Sequence, residues 1–438
     1  MSNSPTHTIP VSVECEKNPV SILTHSDLVQ CVLDYLGRFP ILPLQQVLLV
    51  DDPNVRQDIR RLYCSTTGIA PAVKSVPQDQ AQVSVTVYHN HSGDSTDELD
   101  DENQTVLYRL LVLPHQSLDD LWTNLVYEDD IPQRMLQYIF TTLHFSRHQV
   151  NTAIVGNNKC LLFHGPPGTG KTTLCRALAQ KVAIAYQNPP RSIGKVTGEQ
   201  PWHPWSGPVY LCEINSHSLF SKWFSESGKL VAQTFTRIRA LCDVGMVIIL
   251  IDEIESLTTA RANAMHGNEP SDAMRVVNTV LTELDKFREC PNVLILATSN
   301  ITGAIDPALV DRVDIKQYIG LPSPRAVHYI LYSCLIELHR SGLLVCTVAE
   351  LQSLEKEAFD TTEATVLHLW QEIVDHCKGL SGRTLRKLPL SAYALSPTIH
   401  NSPDLTTFLQ HLKEAVQREQ TSRTRIDTYH APSHSRGQ

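Results

Sequence analysis

Gly165-Pro166-Pro167-Gly168-Thr169-Gly170-Lys171-Thr172 follows the apolar run Cys160–His164 and leads into a stretch of helical pattern. The eight residues fit G-x-x-x-x-G-K-[ST] in the strand-to-helix setting that the motif needs. Glycines let successive backbone N–H groups turn inward around phosphate oxygens, with the positive end of a helix behind them. Lys171 can then reach the β- and γ-phosphates, and the Thr172 hydroxyl can ligate Mg²⁺. The expected ligand is therefore a nucleoside triphosphate held with Mg²⁺.

Working outward, five short apolar runs alternate with helical segments: Cys160–His164, Val209–Ile214, Met246–Ile251, Val293–Thr298 and Ile315–Ile319. Near-continuous apolar strands separated by helices predict a parallel sheet covered on both faces. The run Val247–Ile251 ends in Asp252-Glu253. Such a strand delivers both carboxylates to the sheet edge that carries the phosphate loop, where α/β folds bind ligands. Asp252 would hold Mg²⁺, and Glu253 would orient and polarise the attacking water. On its own the pair could be a polar turn; downstream of a phosphate loop it points to hydrolysis. The next strand ends in Thr298-Ser299-Asn300. The Asn300 amide could touch the γ-phosphate and the water, or could simply form a turn.

Beyond Pro322 the strands stop, and Ser323–Leu338, Val366–Cys377, Gly382–Leu395 and Leu405–Arg418 read as helices of a small helical domain. A helix over Ser271 onward carries an apolar stripe of Ala273, Val276, Val277, Val280, Leu281 and Leu284, and Leu118–Val150 is also helical in pattern. Residues 1 to 110 contain β-like runs at Gln46–Val50 and Gln82–His89 and an amphipathic stretch, Leu28–Leu36. The acidic run Asn90–Gln104 reads as a solvated linker rather than an acidic interaction patch. The predicted organisation is α/β: an α+β N-terminal domain (1–110), a large P-loop sheet domain (111–320), a helical lid (321–418) and a frayed polar tail (419–438). Gln187–Pro208, rich in Pro and Trp, interrupts the sheet domain as a surface insert.

Bulk properties narrow the function classes. The net charge of -9 argues against a broadly basic nucleic-acid binder. The 11 cysteines lack any C-x-x-C pair and the 19 histidines lack metal spacing, which predicts reduced thiols and neither a disulfide framework nor a zinc site. The polar start, Met1–His7, lacks the pattern of a signal peptide, and no apolar run is long enough for a membrane span, so a soluble intracellular chain is expected.

The runs Glu213–Lys229, Ile251–Leu257, Glu269–Asp285, Thr298–Ile301, Asp311–Gly320 and Gly379–Pro389 together resemble the pachytene checkpoint protein 2 family of AAA+ ATPases, also called thyroid receptor-interacting remodellers. The resemblance covers roughly residues 110 to 415. It implies a homo-hexameric ring that converts closed HORMA-domain proteins to open ones, directly or through an adaptor, in meiotic chromosome-axis control and the spindle checkpoint. Nucleus and cytoplasm are the implied locations. The resemblance makes Trp223-Phe224 a substrate-gripping pore loop, the alternative being two core aromatics. It makes Arg312 the finger that reaches a neighbouring subunit's γ-phosphate, the alternative being a surface ion pair with Asp311 or Asp314. It makes Arg386 the lid arginine that senses nucleotide, with Arg383, one turn away, as competitor. A nucleic-acid motor or clamp-loader-like ATPase is the alternative function. Neither direct nucleic-acid binding nor membrane association is expected.

Overall fold

The computed structural model describes residues 8–48, 50–66, 75–99, 106–127, 129–187, 207–215, 227–255, 271–300, 305–355, 364–395 and 402–430. The chain forms two compact units. The first joins Met1–Leu125 to Asp130–His164 and Lys171–Tyr318; the second comprises Val126–Asp129, Gly165–Gly170 and Ile319–Gln438.

The first unit begins with β1 (Ile9–Lys17), α1 (His25–Leu36), β2 (Ile41–Pro43), β3 (Gln46–Leu48), α2 (Pro53–Arg56), β4 (Ile59–Thr66), β5 (Ser75–Pro77) and β6 (Ala81–Tyr88). A four-stranded sheet runs β3-β4-β1-β6, with β1 antiparallel to β4 and parallel to β6. In β1 the alternate residues Val11, Val13 and Cys15 are buried, the period of two that one-sided burial demands. Thr24 and Asp27 close a capping box at the start of α1, and Leu28, Val32 and Leu36 bury the helix's apolar stripe in the same core.

β7 (Thr96–Leu99) and β8 (Val106–Leu113) pair antiparallel and belong to the next sheet. Two sequence-based expectations change here. The boundary drawn at residue 110 falls inside β8. The acidic run, expected as a linker, instead supplies an edge strand, with Asp97 set against Arg109 at 3.6 Å. Water solvates charge on an outer edge, and such charge also discourages pairing with other chains.

The sheet continues through α3 (Ile131–Arg147), β9 (Cys160–His164), α4 (Lys171–Gln187), β10 (Val209–Asn215), α5 (Ser227–Leu241), β11 (Met246–Asp252), α6 (Ser271–Phe287), β12 (Val293–Ser299), α7 (Pro307–Val310) and β13 (Ile315–Tyr318). Strand order is β13-β9-β12-β11-β10-β8-β7, and the five strands from β13 to β10 are parallel. Met246 to Ile251 and all of β12 are buried, as a strand covered on both faces requires. The stripe on α6 (Val276, Val277, Val280, Leu281, Leu284) packs into this core. The helix predicted from Leu118 starts only at Ile131, with Pro132 in its first turn, where the missing N–H costs nothing.

The second unit is helical: α8 (Pro324–Arg340), α9 (Val348–Glu355), α10 (Ala364–His376), α11 (Gly382–Tyr393) and α12 (Leu405–His430) around Leu331, Leu335, Trp370, Leu385, Phe408 and Leu409. Helix α9 was not expected, although Thr347 and Glu350 form its capping box in the sequence. The tail predicted to fray from Glu419 is helical as far as His430. Glu419 holds Arg423 at 2.9 Å, and Arg423 reaches Thr384 at 2.7 Å. Helix-surface ion pairs anchored by a tertiary contact stabilise a polar helix that composition alone would leave loose. Among the described residues no helix is long and apolar enough to cross a membrane.

Candidate functional site

In the first unit the site grows from the carboxyl ends of β11 and β12. Asp252 ends β11, one position past the pairing of Ile251 with Ala297 of β12. The Thr298 hydroxyl of β12 donates to Asp252 Oδ1 and accepts from the Glu253 N–H at 3.2 Å, while the Thr298 carbonyl accepts from Ile254 N–H at 2.9 Å. On the opposite side, Thr172 at the start of α4 donates its hydroxyl to the same Asp252 oxygen at 2.9 Å. Two hydroxyls thus converge on one carboxylate oxygen.

Glu253 takes φ of 56°, a left-handed conformation that costs a residue with a Cβ of order 1–3 kcal/mol and persists only where surrounding bonds impose it. Here the bonds to Thr298 on both sides of the peptide impose it. Asn300 donates its N–H to Glu255 Oε1 at 3.0 Å, tying the segment after β12 to the one after β11.

Lys171, the first residue of α4, is 5% exposed. Burial first, and then the nearby Lys171 charge, push the His164 imidazole, at the end of β9, below its ordinary value. Arg176, one turn further along α4, forks onto Glu213 of β10 at 2.6 and 2.9 Å. This pair seats the helix on the sheet.

The loop residues Gly165–Gly170 belong to the second unit. Gly165, Gly168 and Gly170 have φ of 145°, 75° and 92°. A Cβ on Gly165 would stand 2.1 Å from the Ile319 carbonyl oxygen, so no other residue fits there. Thr169 donates its hydroxyl to the Pro166 carbonyl at 3.0 Å, closing the turn. The Gly168 carbonyl accepts from Arg383 N–H at 3.2 Å, so the first turn of α11 rests on the loop. Arg383 and Arg386 both lie on that helix.

The residues present suit ATP with Mg²⁺. In the second unit the positive φ angles of Gly165, Gly168 and Gly170 let loop N–H groups turn inward, while in the first Lys171 supplies a cation and Thr172 and Asp252 supply the hard oxygen donors that Mg²⁺ prefers. Mg²⁺ bound with phosphates needs only one or two protein carboxylates.

Arg312 makes an ion pair, as the alternative reading had it, but with Asp285 and not with Asp311 or Asp314. Its Nε and Nη2 donate to the two Asp285 oxygens, each at 2.7 Å. Asp314 instead accepts from the N–H groups of Asn158 and Cys160 at 3.0 to 3.1 Å. Trp223 and Phe224 lie outside the described residues, as does most of the Gln187–Pro208 insert. Sequence reasoning passed over two groups. Thr298 was visible as a hydroxyl beside Asn300 at a strand end; Asp285, on a helix 27 residues before its partner, gave no sign.

Residues 161–321 match the AAA family, ATPases associated with various cellular activities. Residues 323–420 match the TRIP13-like, AAA+ ATPase lid C-terminal domain. The chain is 43% identical to the pachytene checkpoint protein 2 homolog of Gallus gallus over 362 residues, covering 80% of this chain and 79% of that one. It is 41% identical to the Homo sapiens homolog over 391 residues, 86% of each chain. The solved structure of C. elegans PCH-2 superposes with a TM-score of 0.74 at 29% identity, covering 94% of this chain and all of that one.

Proposed function

The chain belongs to the pachytene checkpoint protein 2 family of AAA+ ATPases and is an ATP hydrolase, and we propose that it uses hydrolysis to open HORMA-domain proteins. The observation that carries the catalytic part is the convergence of the Thr172 and Thr298 hydroxyls on Asp252, beside Glu253.

In this reading the loop amides and Lys171 bind the β- and γ-phosphates, and Thr172 with Asp252 holds Mg²⁺. When bound, the cation withdraws charge from the γ-phosphoryl oxygens. Glu253 accepts a proton from the attacking water as the Pγ–O bond to the β-phosphate breaks. Thr298, bonded to Asp252 and to the Glu253 backbone, keeps the two carboxylates in fixed relation. Asn300 senses the γ-phosphate, and Arg386 reports nucleotide to the helical unit. Arg312 acts across a subunit boundary in a homo-hexameric ring, where such a finger contributes roughly 10³–10⁵ in rate.

Family membership over most of the chain supports the substrate class. Trp223 and Phe224 grip an extended segment of the HORMA protein in the ring channel, and the N-terminal domain recognises it, directly or through an adaptor. The work falls in meiotic chromosome-axis control and the spindle checkpoint, in nucleus and cytoplasm. ATP turnover by the purified full-length chain, measured alone, with a folded HORMA-domain protein and with DNA, tests the proposal. Stimulation by the HORMA protein with conversion of its closed form is expected. Stimulation by DNA alone would favour the nucleic-acid motor, a reading that the net charge of -9 disfavours.

A further inference from the structure

Each of the three guanidinium nitrogens of Arg312 has an acceptor within its own chain. Nε and Nη2 donate to the Asp285 carboxylate, each at 2.7 Å, and Nη1 donates to the Ala308 carbonyl at 2.6 Å. The Asp285 contact is a two-pronged pair that matches both the shape and the charge of the guanidinium. Asp285 lies in the last turns of α6, and Ala308 in α7, whose start is fixed by Asp306 accepting from Ala308 N–H at 2.8 Å. The arginine is therefore folded back onto its own helices, with its charge already matched.

The pair is also open to water: the Arg312 side chain is 31% exposed and that of Asp285 is 53% exposed. Ion pairs in such settings hold weakly, because water solvates both partners when they separate. A triphosphate carries several negative charges against the single charge of Asp285, so a loaded neighbouring site can draw the guanidinium away. A site that has lost its γ-phosphate competes less well.

We infer that Asp285 parks Arg312 inside its own chain, and that Arg312 engages a neighbour's γ-phosphate only when this ion pair opens. The inference rests on the proposed cross-boundary role of Arg312. Asp285 is then a positioning residue that acts through Arg312. It lowers basal turnover by holding a fraction of the arginines away from their targets, and it recovers them after phosphate departs.

The test compares steady-state ATP turnover by full-length chains carrying Asp285→Asn, Asp285→Glu, Arg312→Ala, and Asp285→Asn with Arg312→Ala, with assembly followed by light scattering. Asp285→Asn keeps the side chain's shape and should raise kcat about two- to fivefold at unchanged KM, the factor by which an exposed ion pair biases an equilibrium. Asp285→Glu, which retains the carboxylate, should stay close to the unsubstituted rate. The gain should vanish in the double variant, an effect that general loosening of the fold would not produce. An unchanged or slower Asp285→Asn beside a slow Arg312→Ala would overturn the parking role and leave the finger standing. Loss of assembly by Asp285→Asn would make the carboxylate an interface residue and also overturn it. Normal turnover by Arg312→Ala would instead remove the finger itself.

Discussion

Lys181 Nζ lies 2.6 Å from Glu14 Oε2, an ion pair that joins the phosphate-loop helix α4 to the first strand of the N-terminal sheet. The Tyr63 ring stands 3.8 Å and the Trp122 ring 5.4 Å from the same ammonium. The side chains of Lys181 and Glu14 are only 9% and 15% exposed. Next to them, the buried Gln180 side chain accepts from His115 N–H at 2.9 Å and donates to the His115 carbonyl at 3.1 Å. Helix α4 starts with Lys171 and Thr172, the residues proposed to meet the phosphates, and near its other end it is fastened to residues 14, 63, 115 and 122. The N-terminal sheet is thus fixed to the helix proposed to bind nucleotide, where a separate domain followed by a solvated linker had been expected.

Breaking this pair on one side should be costly, since it strands a charge in a place that water reaches poorly. Burial already pushes the Lys181 ammonium below its ordinary value, and Glu14 is the main group opposing that push. Glu14→Gln is expected to destabilise the chain by about 3 kcal/mol, and Glu14→Gln with Lys181→Met should recover most of the loss. Urea unfolding of the single and double variants measures the coupling. Additive losses would show that the two groups do not depend on each other.

Truncation gives a second check. A chain starting at Tyr108 loses β7 and the first residues of β8, and strips Glu14 and Tyr63 from Lys181. It should melt well below full length and lose ATP turnover with its fold. A chain starting at Asp94 keeps both strands and should melt between the two. Equal melting of the Tyr108 chain and full length would mean that the N-terminal sheet gives α4 no support.

At the nucleotide site, Lys171→Ala should weaken ATP binding, whereas Glu253→Gln should bind ATP and lose about 10²–10⁴ in kcat, because an amide cannot take the proton. Thr298→Val deletes the hydroxyl shared by Asp252 and the Glu253 backbone. It should lower kcat with little change in nucleotide affinity. Fluorescent-nucleotide titration alongside turnover separates the cases, and near-normal turnover by Glu253→Gln would reject it as the base.

Among the half-buried cysteines, Cys290 stands apart. The neighbouring Cys242 thiol, aided by the Arg239 and Lys159 cations, holds the Cys290 thiol below the usual range against the upward push of burial, while burial pushes those of Cys31, Cys334 and Cys346 up. The thiolate is the reactive form. Cys290 should therefore be alkylated by iodoacetamide faster than the other three at neutral pH, and its rate should level off at a lower pH. Mass spectrometry of peptides after timed labelling checks this, and equal rates for the four would contradict the assignment.

The phosphate loop, the alternating apolar strands and the carboxylates at 252 and 253 were legible in the sequence, because each depends on contacts close along the chain. A glycine is favoured where φ is positive and needed where a Cβ would stand 2.1 Å from a carbonyl oxygen, as at Gly165, and a strand covered on both faces must be apolar throughout. The same local logic misjudged the acidic run at β7 and the polar end of α12, where a sheet edge and a distant threonine supply partners that no short window contains. Thr298 binding Asp252, Lys181 binding Glu14 and Arg312 binding Asp285 join residues 46, 167 and 27 positions apart. A charged or hydroxyl side chain looks the same in sequence whether it ends in water or on such a partner. Only the packing of strands and helices decides which, because a hydrogen bond or ion pair requires its atoms within about 3 Å.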